Sequence, residues 1–148
     1  MSGPVPDERQ VLAERVVSGM LERDEFTRWL GIEVIHVAPE RCDCRMVVRP
    51  EMVNGFGVAH GGIVFSLADS AFAFACNTHG RVTVSIENSI TYPEPIRPGD
   101  VLTATAGQDA ASNRLSYYRV DVRNQHGTTV GLFRGTAYQT SRSHISDG

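Results

Sequence analysis

The chain contains no lysine. All 14 basic residues among its 148 are arginine, which excludes a Schiff-base lysine, a pyridoxal-phosphate anchor and a Walker-type phosphate loop with its essential Lys. Coding bias is the bland cause of such usage, although arginine is also the better bidentate phosphate ligand. Cysteine is scarce as well. Cys42, Cys44 and Cys76 make no CxxC pair, and the first two share one face of a strand-like stretch, which suits core packing better than zinc and makes a reduced, intracellular setting the default. His60, Asp69, Cys76 and His79 form the only plausible metal set, but without an HExxH or paired-ligand spacing, so no metal and no cofactor is expected. A G-x-S-x-G nucleophile elbow is missing too, which removes the common serine-hydrolase reading. No run approaches 18 apolar residues, and MSGPVPDERQ has neither a basic n-region nor an apolar h-region; a cytoplasmic protein without signal peptide or membrane span is the expectation. The net charge of −3 and pI near 5.9 supply no general attraction to nucleic acid or anionic membrane. A length of 148 residues with 41% hydrophobic content fits one domain spanning residues 1–148.

What is present concentrates between Asn54 and Asn77, NGFGVAHGGIVFSLADSAFAFACN. From Ile63 to Cys76 the residues are apolar apart from Ser66, Asp69 and Ser70, and a helix apolar on nearly all sides is a buried one. An ionised carboxylate buried without partners is costly, so the surroundings of Asp69 must compensate it or use it. At about 100° per residue, Gly62, Ser66, Asp69, Ser70, Ala73 and Asn77 fall on one stripe of the helix. That stripe is either a polar surface over something reactive or a small-residue seam against another element. Before it stands His60-Gly61-Gly62, and glycines at a helix entry leave the first backbone N–H groups unobstructed, where they can hold an oxyanion or merely permit a tight turn.

Spacing limits how these parts can act together. Gly61 and Asp69 are eight residues apart, roughly 12 Å along a helix rising about 1.5 Å per residue. They cannot readily grip one carbonyl from the same helix. A symmetric dimer in which Gly61 of one subunit faces Asp69 of the other, giving two equivalent sites, is the simplest solution.

Elsewhere the chain reads as an N-terminal docking helix over 6–30, with Leu12, Val16, Met20 and Leu21 toward the body. Strands follow at 32–37 and 41–49, then a Gly/Pro loop at 50–58 that delivers Asn54 to the long helix. Four more strand-like segments, near 82–92, 101–109, 114–124 and 128–140, are separated by the turn signals PEPIRPGD, AASN and NQHG. The order predicts an α+β domain whose antiparallel β-sheet wraps one long central α-helix, with a core over 31–140 and a flexible polar tail over 141–148.

Asn54, His60-Gly61-Gly62 and Asp69, together with FSLADSAFAFACN, VLTATA at 101–106 and GLFRG at 131–135, resemble the hot-dog-fold thioesterases of the phenylacetic-acid-degradation (PaaI-type) branch over roughly residues 25–140. The resemblance implies a hot-dog acyl-CoA thioesterase acting on an aryl- or arylacetyl-CoA. In it, Asp69 is nucleophile or general base and the Gly61 N–H polarises the thioester carbonyl, while Asn54 and His60 complete the pocket. Gly62, Ser70 and Ser85 are further substrate-side candidates, and Arg81, Arg97, Arg114 and Arg134 are candidates for coenzyme A phosphates, Arg81 and Arg134 foremost. A dimer, paired into a tetramer, is implied too. A hot-dog enoyl-CoA hydratase or dehydratase and a non-catalytic acyl-CoA-binding module are the alternatives.

Overall fold

The computed structural model describes residues 7–145. Helix α1 (Glu8–Glu22) starts on Asp7, whose carboxylate accepts the Arg9 N–H at 2.9 Å, and it buries Ala13, Val16 and Val17. The single helix expected over 6–30 is two. The chain stops at Arg23 and restarts at Asp24, which caps α2 (Glu25–Trp29) by accepting the Thr27 N–H at 3.0 Å. An Asp carboxylate competes with the helix ladder for nearby N–H groups, and here it ends one helix and begins another. Pro6, the start of that expectation, lies outside the described residues.

The strands β1 (Glu33–Ala38), β2 (Arg41–Val47), β3 (Arg81–Thr91), β4 (Val101–Ala111), β5 (Leu115–Arg123) and β6 (Thr129–Ser143) make one six-stranded sheet of order β1-β2-β4-β5-β6-β3. Every neighbouring pair is antiparallel. Alternation along β2, β4 and β5 sends Cys42, Cys44, Met46, Leu102, Ala104, Ala106, Val120 and Val122 to one buried face. Helix α3 (Gly61–Asn77) lies across that face, burying Val64, Leu67, Ala71 and Phe72. Phe72 meets Tyr118 and Phe133 with ring centroids 5.5 and 5.7 Å away, and the alanines on both surfaces let backbone approach backbone. This is the hot-dog arrangement, a sheet wrapped over one apolar helix.

The polar end of the chain differs from the tail expected at 141. Ser141–Ser143 belong to β6, and Ser143 pairs with Arg81 at the start of β3. The His144 backbone N–H then donates to the Gly80 carbonyl at 2.8 Å, and its ring Nε2 lies 2.6 Å from Asn77 Oδ1. Ladder hydrogen bonds hold this segment rather than apolar burial, so hydropathy gives no sign of it. Residues 146–148 of the expected tail lie outside the described residues.

Candidate active site

His60 is the N-cap of α3, and its ring Nδ1 accepts the Gly62 N–H at 3.3 Å. That hydrogen bond satisfies one of the free donors of the first turn. The Gly61 N–H, at the first helical position, donates to no acceptor among the described residues. It therefore points outward from the positive end of the helix dipole. Tyr92 covers the other side of Gly61: its hydroxyl donates to the Gly61 carbonyl at 2.8 Å, and a Cβ on Gly61 would come within 3.0 Å of that hydroxyl. A Cβ here would crowd the phenol, which would have to give by a few tenths of an ångström. Val58, Ala59, Gly61, Val64 and Tyr92 line an open cleft of about 280 Å³ closed below by Pro93 to Ile96.

Asn54 lies in the loop that leads to Val58 and Ala59 and is not among the residues lining the cleft. Its Oδ1 accepts the Phe56 N–H at 2.9 Å, its backbone N–H donates to Val58 at 2.8 Å, and the bridge between Val53 and Ala59 closes the loop. This is an Asx turn, with the side-chain Nδ2 left over as a donor.

Asp69 is half-buried, two turns into α3. Asn88 of β3 donates from Nδ2 to Asp69 Oδ1 at 3.1 Å, and the Ser85 hydroxyl donates to Asn88 Oδ1 at 2.9 Å. Burial raises the pKa of Asp69, and the Asn88 hydrogen bond opposes the rise; no cation contributes. Ser85, named from sequence as a substrate-side residue, reaches Asp69 only through Asn88. Sequence reasoning missed both Asn88 and Tyr92. The available signal for Asn88 was an amide inside an 11-residue strand, where Asn is disfavoured.

The chain segment β3 runs antiparallel to α3 and is joined to it at successive levels: Thr83 to Asn77, Asn88 to Asp69 and Tyr92 to Gly61. Opposite Asn88, β6 carries Gly135, where a Cβ would lie 2.8 Å from the Phe72 ring and 3.0 Å from Asn88 Oδ1. The polar stripe of α3 is accordingly a seam as well as a candidate reactive surface. Ser66 donates to the Gly62 carbonyl at 2.7 Å. Ser70 lies 3.2 Å from the Thr27 hydroxyl, which itself donates to Asp24 at 2.7 Å, so Ser70 is the donor and ties α3 to α2. Of the arginines, Arg81 donates to the Ser141 carbonyl at 2.9 Å, and Arg134 stands on the outer sheet face 3.7 Å from Asp109. Neither reaches Asp69. Among the described residues no three His, Cys, Asp or Glu side chains gather as a metal set, and no helix is long and apolar enough to cross a membrane.

The family model of the thioesterase superfamily matches residues 56–131. The chain is 38% identical to the acyl-coenzyme A thioesterase PaaI of Escherichia coli over 120 residues, 81% of this chain and 86% of that one. It matches the solved E. coli PaaI structure with a TM-score of 0.90 at 34% identity, covering 92% of this chain and 99% of that chain. A putative esterase of Archaeoglobus fulgidus is 35% identical over 88% of this chain and 84% of its own length. A hypothetical thioesterase protein of Streptococcus pneumoniae TIGR4, solved with coenzyme A, matches with a TM-score of 0.72 at 25% identity over 76% of this chain and 90% of that chain. The chain belongs to the thioesterase superfamily and is a thioester hydrolase of hot-dog fold. Within that superfamily it is a homologue of E. coli PaaI.

Proposed function

We propose that the protein hydrolyses acyl-CoA thioesters, with an aryl or arylacetyl group as the preferred acyl part, and that Asp69 is the nucleophile or general base. The observation that carries this reading is the half-buried Asp69 carboxylate, held on one oxygen by Asn88, on the same α3–β3 edge as the open Gly61 N–H. The likeness to E. coli PaaI, whose structure is described as coming from a phenylacetic acid degradation operon, supports the acyl class. The coenzyme A held by the S. pneumoniae relative supports the thiol part.

In the proposed reaction the thioester carbonyl oxygen accepts the Gly61 N–H, which stabilises the negative charge that grows there. Either Asp69 Oδ2 attacks the carbonyl carbon to give a mixed anhydride, or Asp69 takes a proton from water as that water attacks. In both routes the C–S bond breaks with its electron pair on sulfur. Water ends as hydroxyl on the acid and proton on the thiol, and a thiol pKa near about 8.5 removes the need for a strong general acid. His60 shapes the helix entry as its cap, Gly62 completes the first turn, and Asn54 sets the loop beside it. Arg81 and Arg134 are the proposed partners of the coenzyme A phosphates.

The site is proposed to form between two subunits. Gly61 and Asp69 sit on the β3 side of α3, and β3 is an edge strand whose Val84 and Ile86 are 42% and 57% exposed. A two-fold axis beside that edge, level with the middle of the stretch from Gly61 to Asp69, would set Gly61 of each copy against the acid of the other. Pairing of such dimers into a tetramer rests on the resemblance.

Free-thiol release from a panel of aryl-CoA and straight-chain acyl-CoA esters tests the reading, with wild type and D69A compared after both are shown to fold alike. Turnover that D69A lowers about a hundredfold or more supports it. Acyl-CoA binding without thiol release would point to a binding module, and conversion with the thioester intact to a hydratase.

A further inference from the structure

We propose that Asn88 is a positioning residue, clamping Asp69 by Oδ1 so that Oδ2 alone is presented to the thioester; the proposal rests on the hydrolytic role of Asp69. The clamp is built from three sides. The Ser85 hydroxyl donates to Asn88 Oδ1 at 2.9 Å, the Asn88 Nδ2 donates to Asp69 Oδ1 at 3.1 Å, and Gly135 on the paired strand leaves room for the amide where a Cβ would stand 3.0 Å from it. Asp69 Oδ2 receives no hydrogen bond among the described residues.

The orientation of the amide follows from its neighbours. A serine hydroxyl pointing at one end of Asn88 turns the NH2 toward Asp69, and the reverse setting would place two acceptors face to face whenever the carboxylate is ionised. An N–H directed at a carboxylate favours its charged form, which burial disfavours. Asn88 therefore does two things for Asp69. It opposes the rise in pKa that burial imposes on this half-buried acid, and it selects which oxygen is free. Ser85 acts at one remove, by fixing the amide.

Few other groups compete for control of Asp69. Further along α3, Cys76 has a thiol pushed up to about 12, chiefly by burial and in part by Asp69 itself, so it stays neutral. From β5, Tyr118 is likewise pushed up by burial, and on β2 Cys44 is raised by its hydrogen bond with Cys42 and by burial. Asp24, the N-cap of α2, is engaged with Thr27. Ser85 and Asn88, which β3 presents, do not titrate.

The test uses the full chain, with N88A, N88D and S85A compared with wild type. N88D keeps the shape of the amide while replacing its donor by a second carboxylate, so it guards against a variant that simply misfolds. Two readouts are taken on proteins of verified fold: kcat and KM against pH, and the titration of the Asp69 carboxyl carbon by NMR without substrate. For N88A, kcat is expected to fall about ten- to a hundredfold, the range spanned by a hydrogen bond to a charged group, with KM changed less than about threefold. The acidic limb of kcat/KM and the Asp69 titration both move to higher pH. N88D moves them further, because adjacent carboxylates share a proton. S85A moves them in the same direction by less. An unmoved Asp69 titration in folded N88A and N88D overturns the clamp, as does a loss confined to KM. If D69A is inactive while N88A turns over like wild type, the clamp alone has failed. If wild type releases no thiol, or D69A keeps full turnover, the hydrolytic reading has failed and takes the catalytic meaning of the clamp with it.

Discussion

Asp69 is costly to the fold that carries it. Its pKa in the folded chain lies above the usual carboxylate value because burial disfavours the charged form. Between the unfolded and folded values the native state holds more protons, so stability falls as pH rises through that window and stays lowered above it. D69N removes the ionisation. At neutral pH it is expected to raise Tm, with the gain vanishing below the usual carboxylate range, while thiol release is lost; calorimetry at several pH values reads the first and the thiol assay the second. Gly135 is the opposite case, a residue valuable for what it lacks. In G135A the new methyl meets the Phe72 ring at 2.8 Å and Asn88 at 3.0 Å. Phe72 is fully buried and has little room to yield, so a loss of about 1–3 kcal/mol is expected in denaturant unfolding, the usual cost of overpacking.

Between elements, polar contacts do what apolar packing cannot. The sheet and α3 would hold together on their buried faces alone, but the level of β3 along α3 is set by hydrogen bonds that Asn77, Asp69 and Gly61 accept from Thr83, Asn88 and Tyr92. At the far end the chain returns as a strap, with His144 against Asn77 and Gly80. Burial lowers the pKa of His144, with Arg23 and His79 adding to it, and burial likewise lowers that of His79. For a histidine lowered on folding, stability is full above the unfolded value, about 6.5, and is lost as pH falls through the folded one. Wild type should therefore lose Tm on acidification through this range more steeply than an H79Q/H144Q variant. Parallel slopes in the two melting series would contradict this role of the strap.

At the scale of the whole molecule, the proposed two-subunit site requires that Gly61 and Asp69 act from different copies. D69A and G61P, the latter removing the backbone N–H at a first helical position that tolerates proline, are each expected to be inactive alone and so distinguish the arrangements. If Gly61 and Asp69 act across a dimer, a mixed dimer has one intact site and one doubly damaged site. Co-expression in equal amounts should restore about a quarter of wild-type turnover, since half the dimers are mixed and each has half its sites. Sites contained within one subunit would restore none. An arginine at Ile86 on the exposed β3 edge should lower both the mass seen by light scattering and thiol release.

The parts legible in the sequence were those with local causes. The long helix followed from apolar residues on nearly every side of Ile63 to Cys76, its entry from His60-Gly61-Gly62, and the β4–β5–β6 meander from turn residues at AASN and NQHG. Asp69 stood out because a carboxylate in such a helix has no local partner. The break at Asp24 went unread, a single helix being expected there, although its cause is local too, a capping residue inside a helical pattern. What stayed hidden had distant causes. That β3 crosses to the edge beyond β6, that Asn88 meets Asp69 across 19 residues of chain and Tyr92 meets Gly61 across 31, and that Ser141–Ser143 extend β6 are outcomes of sheet order and register. A hydropathy period records which way a side chain faces, and it does so residue by residue. The partner a polar group finds there depends on which strand lies alongside, and that was settled when the sheet closed over α3.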